Sequence, residues 1–187
     1  MLPGRSEFGD LITNLTEELK RSSVEILTQR KVSPEELLEL GYDHVLMATG
    51  SSSYSPSLEC MGQLAVSQAT EILKSGVIPH GHVVVYDPLG DWTGLGIAEL
   101  LAKEGAKVTL AVNGLYPGES LKSCVRDSAA PRLHNLGVKV LTYARVFGFD
   151  DDSVYLYHIA GAEPRVIDGV DHRVLPCDGV PQCLPRR

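Results

Sequence analysis

The stretch that decides the fold is VVVYDPLGDWTGLGIAELLAKEGAKVTL, residues 83–110. Val83–Tyr86 predicts a buried strand, Gly94–Glu104 has helical spacing and ends before Gly105, and KVTLAV predicts the next strand. This strand–turn–helix–strand order is the βαβ unit of a parallel sheet, and its turn is where dinucleotide-binding proteins hold a pyrophosphate. The stretch therefore predicts an α/β fold with a Rossmann-like parallel sheet and makes the turn a candidate site.

The turn departs from the G-x-G-x-x-G pattern of dinucleotide sites, in which glycines let the backbone approach the phosphates. Counted back from the helix, Gly94 fits the third glycine, but Leu89 and Asp91 stand where the first two belong. Counted forward from the strand, Asp87 and Leu89 stand there instead. Two like charges ~4 Å apart repel by about 4 kcal/mol at an effective dielectric of ~20. We therefore expect a vestigial or modified site in which orthodox NAD(P) binding is doubtful.

Three further features bear on nucleotide binding. Asn113 ends the strand after the helix, where NAD sites carry an acid and NADP sites a basic residue. Trp92 has two interpretations, which are stacking on an adenine and covering a partner domain. Met47–Gly50 (MATG) ends an apolar strand pattern with small residues, which would let the backbone pass close to a flat ligand or to a crossing strand. None of these features specifies a cofactor by itself.

The residues on either side of the opening stretch predict further helices and strands. Upstream we expect an amphipathic helix from Glu7, a strand at VEIL, a short helix capped by Ser33, a buried strand at DHVLMATG and a helix in MGQLAVSQATEILKSG. Downstream we expect a helix in SCVRDSAAPRLHNLG that is interrupted near Pro131, a strand at VKVLTYARV and an antiparallel hairpin from SVYLYHIA and PRVIDGVDHRVL. The prolines and lack of periodicity in the last twelve residues predict an extended or disordered tail.

Composition narrows the classes of function. The 187 residues are 43% hydrophobic with a net charge of −7, which is typical of a packed acidic domain and argues against a nucleic-acid partner. No apolar run reaches the ~20 residues of a membrane span, and no signal peptide is visible, so we expect no membrane association and a cytoplasmic setting.

Metal and catalytic signals are weak. The four cysteines form no C-x-x-C pair and are expected to be free thiols, with a Cys177–Cys183 disulfide as the alternative. The six histidines show no ligand spacing, and Asp150–Asp152 lacks the alternation of a calcium loop, so it is expected to be a solvated turn. We predict no metal site and can assign no catalytic residue.

Four segments together resemble a known family in order and spacing, across roughly residues 2 to 175. They are PGRSEFGDLITNLTEELKRSSVEIL, LLELGYDHVLMATGS, VVVYDPLGDWTGLGIAELLAKEGAKVTLAV and GVDHRVL. The family is the trimethylamine dehydrogenase and 2,4-dienoyl-CoA reductase group, which is related to old yellow enzyme. The segments resemble its C-terminal half, where domains of the glutathione-reductase type bind FAD or ADP and, in the reductases, NADPH.

The resemblance implies a domain organisation and a set of site residues. Residues 1–79 would form an incomplete FAD- or ADP-binding-type domain, residues 80–175 an NAD(P)-binding-like domain with an appended antiparallel hairpin, and residues 176–187 a tail. Cofactor contacts would come from the first domain's Ala48, Thr49 and Gly50 and from the second turn's Gly90, Trp92, Gly94 and Gly96. In the amine dehydrogenase branch the second turn is degenerate, as it is here.

The departures from the family shape the functional hypotheses. The barrel with FMN, the cluster cysteines and the first G-x-G-x-x-G unit are not in this sequence. The leading hypothesis is a subunit or fragment of a flavin-dependent oxidoreductase that binds FAD or ADP through another chain, such as a flavin or iron–sulfur subunit, or through self-association. The alternatives are a stand-alone module that binds ADP or a protein, and an autonomous NAD(P)H-dependent reductase.

Overall fold

The computed structural model describes residues 2–54, 58–62, 65–175 and 178–181. The chain divides into two compact units. One contains Ser53–Val180 together with residues 2–4, and the other contains Arg5–Ser52. The predicted boundary near residue 80 falls inside the larger unit.

The larger unit is built on a five-stranded sheet whose neighbouring strands are all parallel, in the order β3-β10-β4-β5-β6. Its strands are β3 (Val66–Gln68), β4 (His82–Asp87), β5 (Lys107–Val112), β6 (Lys139–Leu141) and β10 (His172–Leu175). The central strands β4 and β5 are buried on both faces, which explains their continuous apolar sequences. The predicted Rossmann-like α/β sheet is confirmed.

Helices cover one face of this sheet. They are α3 (Ala69–Ser75), α4 (Trp92–Lys103) and α5 (Ser123–Asn135), and α5 continues through Pro131 rather than stopping there. Their buried side chains form one core with the strand residues on that face, which include Val83, Val85 and Leu110. Residues on the opposite face of the same strands, such as Val84 and Tyr86, belong to a second core.

The second core lies under a four-stranded sheet with the order β2-β7-β8-β9. The strands are β2 (Glu59–Cys60), β7 (Ala144–Phe149), β8 (Val154–His158) and β9 (Pro164–Ile167), and the last three pair antiparallel as predicted for an appended hairpin. Two predicted strands are divided between the sheets. VKVLTYARV becomes β6 and β7, and PRVIDGVDHRVL becomes β9 and β10, because the turns between them redirect the chain.

The smaller unit contains the helices α1 (Glu7–Arg21) and α2 (Pro34–Glu39). Its predicted strands at VEIL and DHVLMATG are wrong, since none of residues 23–50 belongs to a sheet. The expected burial of DHVLMATG is also wrong, because no residue from 5 to 50 is buried. The apolar patterns are present, but the neighbouring strands that would turn them into a sheet are not among the described residues.

Two further short strands, β1 (Ser51–Tyr54) and β11 (Asp178–Pro181), form a separate two-stranded sheet. Part of the predicted tail is therefore β11. The Cys177–Cys183 alternative lies outside the described residues, whereas Cys124 is a free, exposed cysteine.

Candidate functional site

The candidate site is the turn that joins β4 to α4 at the carboxyl edge of the parallel sheet. β4 ends at Asp87, and α4 begins at Trp92 with Asp91 as its N-cap. The Asp91 Oδ1 accepts a hydrogen bond from the Thr93 amide at 2.7 Å. Ligands of open α/β sheets bind at this edge, where helix N-termini attract anions.

Asp87 lies inside the turn and is completely buried. Its Oδ1 accepts a hydrogen bond from the Gly90 amide at 2.9 Å. Its Oδ2 is buried with no hydrogen-bond partner among the described residues. Burial raises the pKa of Asp87 from 3.8 to about 6, against the opposing effect of the turn amides of Leu89, Gly90 and Asp91.

The turn glycines face protein atoms. A Cβ on Gly94 would lie 2.2 Å from the Asp87 Oδ2, and a Cβ on Gly90 would lie 2.9 Å from the backbone nitrogen of Glu119. A Cβ on Gly96 would meet only the end of the flexible Leu2 side chain, at 2.9 Å. Gly90 also has a φ of +64°, which favours glycine whatever surrounds it.

The chain after β5 covers the turn. Ser120 donates to the carbonyl oxygen of Gly90 from both its backbone amide, at 3.0 Å, and its hydroxyl, at 2.6 Å. Asn113, the residue that follows β5, accepts through Oδ1 a hydrogen bond of 3.1 Å from the Tyr86 hydroxyl. Ser120 and Glu119 were not among the predicted site residues, because they are brought to the turn by a loop whose sequence carries no ligand motif.

The predicted contact residues fall into two groups. Gly90, Trp92, Gly94 and Gly96 lie together in the turn and the start of α4, where Trp92 is half-buried. Residues 48–50 lie in the smaller unit, where all three are exposed and Gly50 has a φ of +73°. The cofactor contacts of both groups remain predictions.

Other sites are sparse in the described part of the chain. No group of three or more His, Cys, Asp or Glu side chains there could hold a metal ion. Asp150 accepts hydrogen bonds from the amides of Asp152 and Ser153, which makes the acidic run a closed turn. None of the helices among the described residues combines the length and apolar character that a bilayer crossing requires.

A parallel sheet with a β4–α4 turn at its carboxyl edge defines a Rossmann-like nucleotide-binding-type domain. The model of the pyridine nucleotide-disulphide oxidoreductase family matches residues 6–183. The chain therefore belongs to the pyridine nucleotide-disulphide oxidoreductase family, whose domains bind FAD and NAD(P) in general. The predicted family resemblance is confirmed at this level.

One relative in sequence and two solved structures are similar to this chain over most of its length. The bilirubin reductase of Mediterraneibacter gnavus (strain CC55_001C) is 28% identical over 178 residues, which are 95% of this chain and 26% of the relative. The fold matches histamine dehydrogenase from Rhizobium sp. 4-9 with a TM-score of 0.85 and 23% identity, over 97% of this chain and 30% of that one. It also matches the 6-hydroxypseudooxynicotine amine oxidase HisD from Pseudomonas geniculata N1 with a TM-score of 0.81 and 18% identity, over 97% and 28% of the two chains.

The match to the bilirubin reductase includes most of this chain. It includes only about a quarter of the length of that relative. Within the matched region, the residues of the β4–α4 turn do not fit a dinucleotide. The Asp87 carboxylate already accepts from the Gly90 amide inside the turn, and the backbone at Glu119 lies against Gly90, so this amide is not open to a pyrophosphate.

Proposed function

We propose that this chain contributes nucleotide-binding-type domains to a flavin-dependent oxidoreductase of the trimethylamine dehydrogenase type. In this proposal, the smaller unit becomes a complete FAD- or ADP-binding domain only when a βαβ segment from outside residues 1–187 packs against it. The substrate site lies outside these residues as well. The chain then acts as part of an assembly and performs no chemistry alone.

The observation that carries the proposal is the exposure of the smaller unit's apolar residues. Along α1, one stripe at helical spacing contains Phe8, Leu11, Ile12, Leu15 and Leu19, and all five are exposed. Burying one such side chain contributes about 1.5–3 kcal/mol, so a stripe of five favours a structure that covers it. An amphipathic helix of this kind is typical of one that packs on a sheet.

Two extended segments of the same unit support the same conclusion. Residues 24–27 include the exposed Val24, Ile26 and Leu27, and residues 45–47 include Leu46, which is 94% exposed. Neither segment belongs to a sheet. Apolar segments of this length are typical of strands in the middle of a parallel sheet, where both faces are buried. A partner that supplies parallel strands would satisfy their backbone groups and cover their side chains.

A binding experiment tests the proposal. The partner is a segment of the M. gnavus bilirubin reductase from outside the region that this chain matches, produced as a separate polypeptide. Calorimetry measures its binding to this chain, and hydrogen exchange follows residues 24–27 and 44–48. The matching region of that relative, produced alone, serves as the positive control for the segment.

Two substitutions on α1 make the result specific. Leu15→Glu places a charge in the apolar stripe and is expected to weaken binding at least about tenfold. Thr13→Glu introduces the same residue on the opposite face of the helix and is expected to leave binding unchanged. If the segment binds the positive control but not this chain, the proposal is wrong.

Cofactor measurements separate the remaining hypotheses. The assembled complex is expected to bind ADP or FAD, whereas the chain alone is not. Tight ADP binding by the chain alone would favour a stand-alone binding module. Oxidation of NAD(P)H by the chain alone, with added flavin, would favour an autonomous reductase.

A further inference from the structure

Asp87 has a position that capping of α4 does not explain. The helix already has a cap in Asp91, whose side chain accepts from the Thr93 amide. A second carboxylate is not needed for that purpose, yet Asp87 is completely buried four residues earlier. A buried carboxylate destabilises a fold unless hydrogen bonds compensate for its lost hydration, so its place in the turn has a specific basis.

The turn directs its own amides at this carboxylate. The Gly90 amide donates to Oδ1 at 2.9 Å, and the amides of Leu89 and Asp91 favour the charged form of the same group. In dinucleotide turns, such amides and the helix N-terminus are the groups that receive the pyrophosphate. Here they already have an anion within the chain.

The surrounding atoms close the same space. Gly94 has no Cβ, and the Asp87 side chain occupies the position where one would be. The backbone at Glu119 lies over Gly90, and Ser120 holds it there through two hydrogen bonds to the Gly90 carbonyl oxygen. The loop narrows the approach to the turn, whereas the carboxylate occupies the Gly90 amide itself.

We propose that the Asp87 carboxylate is a built-in substitute for phosphate, which occupies the anion position of the β4–α4 turn and prevents NAD(P) from binding there. A pyrophosphate that approached would meet a negative group in a poorly hydrated space, where repulsion between like charges is strongest. The second nucleotide-type domain then serves as a scaffold. This proposal stands whether or not a partner completes the smaller unit.

The test is a nuclear magnetic resonance titration of the full chain. The probes are sodium pyrophosphate and then NADH, and the observed signals are the backbone amides of Leu89, Gly90 and Asp91. In the unsubstituted chain we expect no shift of these amides with either probe. In Asp87→Ala, which removes the charge and opens the space, we expect pyrophosphate to shift the Gly90 amide with affinity at least about tenfold higher.

Two further variants make the outcome decisive. Asp91→Asn removes the neighbouring charge but keeps Asp87, and it is expected to behave like the unsubstituted chain. Asp87→Ser replaces the alanine variant if the latter loses its dispersed spectrum. The proposal is overturned if either probe shifts the Gly90 amide of the unsubstituted chain, if a folded Asp87 variant gains no pyrophosphate binding, or if Asp91→Asn gains as much.

Discussion

Asp87 and Gly94 fit together so closely that a Cβ on Gly94 would lie 2.2 Å from the Asp87 Oδ2 and 2.5 Å from the Asp87 Cβ. The third glycine of the motif is therefore required here by a side chain of the protein itself. In a dinucleotide site, the same glycine serves close packing of the helix on the strand. Either role requires a glycine at this position, so Gly94 is evidence for the fold and is not evidence for a bound ligand.

The contact predicts the effect of a single methyl group. Gly94→Ala should lower the free energy of unfolding by about 1–3 kcal/mol, because the buried Asp87 cannot move aside without losing its hydrogen bond to Gly90. Chemical denaturation measures the change. Gly96→Ala is the matched control in the same helix, and it should be neutral or slightly stabilising, since only the end of the Leu2 side chain must move. Equal losses in the two variants would contradict this account.

The buried carboxyl predicts a pH dependence of stability. Its pKa is raised from 3.8 to about 6 in the folded state, with Asp91 as a charged neighbour that contributes in the same direction. Because the folded chain holds this proton more tightly than the unfolded chain, the group favours folding most below about pH 4. As pH rises from about 4 through about 6, this contribution to the free energy of unfolding is lost, and the loss is roughly 3 kcal/mol.

Asp87→Asn should remove this dependence. The amide keeps an oxygen for the Gly90 N–H and carries no charge, so the variant should gain stability relative to the unsubstituted chain as pH rises from about 4 to 6.5. Denaturation curves at several pH values test this. If the free energies of unfolding of the two proteins changed equally with pH across that range, burial would not disfavour the charged form of Asp87, contrary to this account.

The two units predict opposite sensitivities to substitution. Leu101→Ala, in the core of the larger unit, should cost about 2–5 kcal/mol because the side chain is completely buried. Leu15→Glu, in the exposed stripe of α1, should change the stability of the isolated chain by no more than about 0.5 kcal/mol. If Leu15→Glu strongly destabilised the isolated chain, the apolar stripe of α1 would already be covered by other residues of the chain, contrary to this account.

The sequence predicts the βαβ unit well because its signals are local. The apolar run before Asp87, the spacing from Gly94 onward and Gly105 after the helix each depend on neighbouring residues, and β4, α4 and β5 match them closely. The position of β10 is different. It lies between β3 and β4, with His172 opposite Val83, and no local pattern encodes a pairing across so many residues.

The candidate site divides in the same way. The acidic residues of the turn are visible in the sequence and predict a modified site. Only the structure shows that Asp87 points inward onto Gly90, while Asp91 caps the helix. The contribution of Ser120 depends on a loop that folds back over the turn, which hydrophobic periodicity does not describe.

The segments VEIL and DHVLMATG show most clearly what local sequence patterns do not predict. Their composition favours strands, but a strand exists only when another strand pairs with it, and the described residues offer none. The local pattern is correct about which residues are apolar. Whether they are buried depends on chain that lies outside these segments.

The most direct measurement of the central claim is hydrogen exchange at residues 24–27 and 44–48 with and without the bilirubin reductase segment from outside the matched region. We expect these amides to exchange rapidly in the chain alone and to become protected when the segment is added. The Thr13→Glu variant should gain the same protection as the unsubstituted chain, whereas the Leu15→Glu variant should gain none. Protection of these amides in the chain alone, or no change when a segment that binds its own partner region is added, would contradict the proposed completion of the smaller unit.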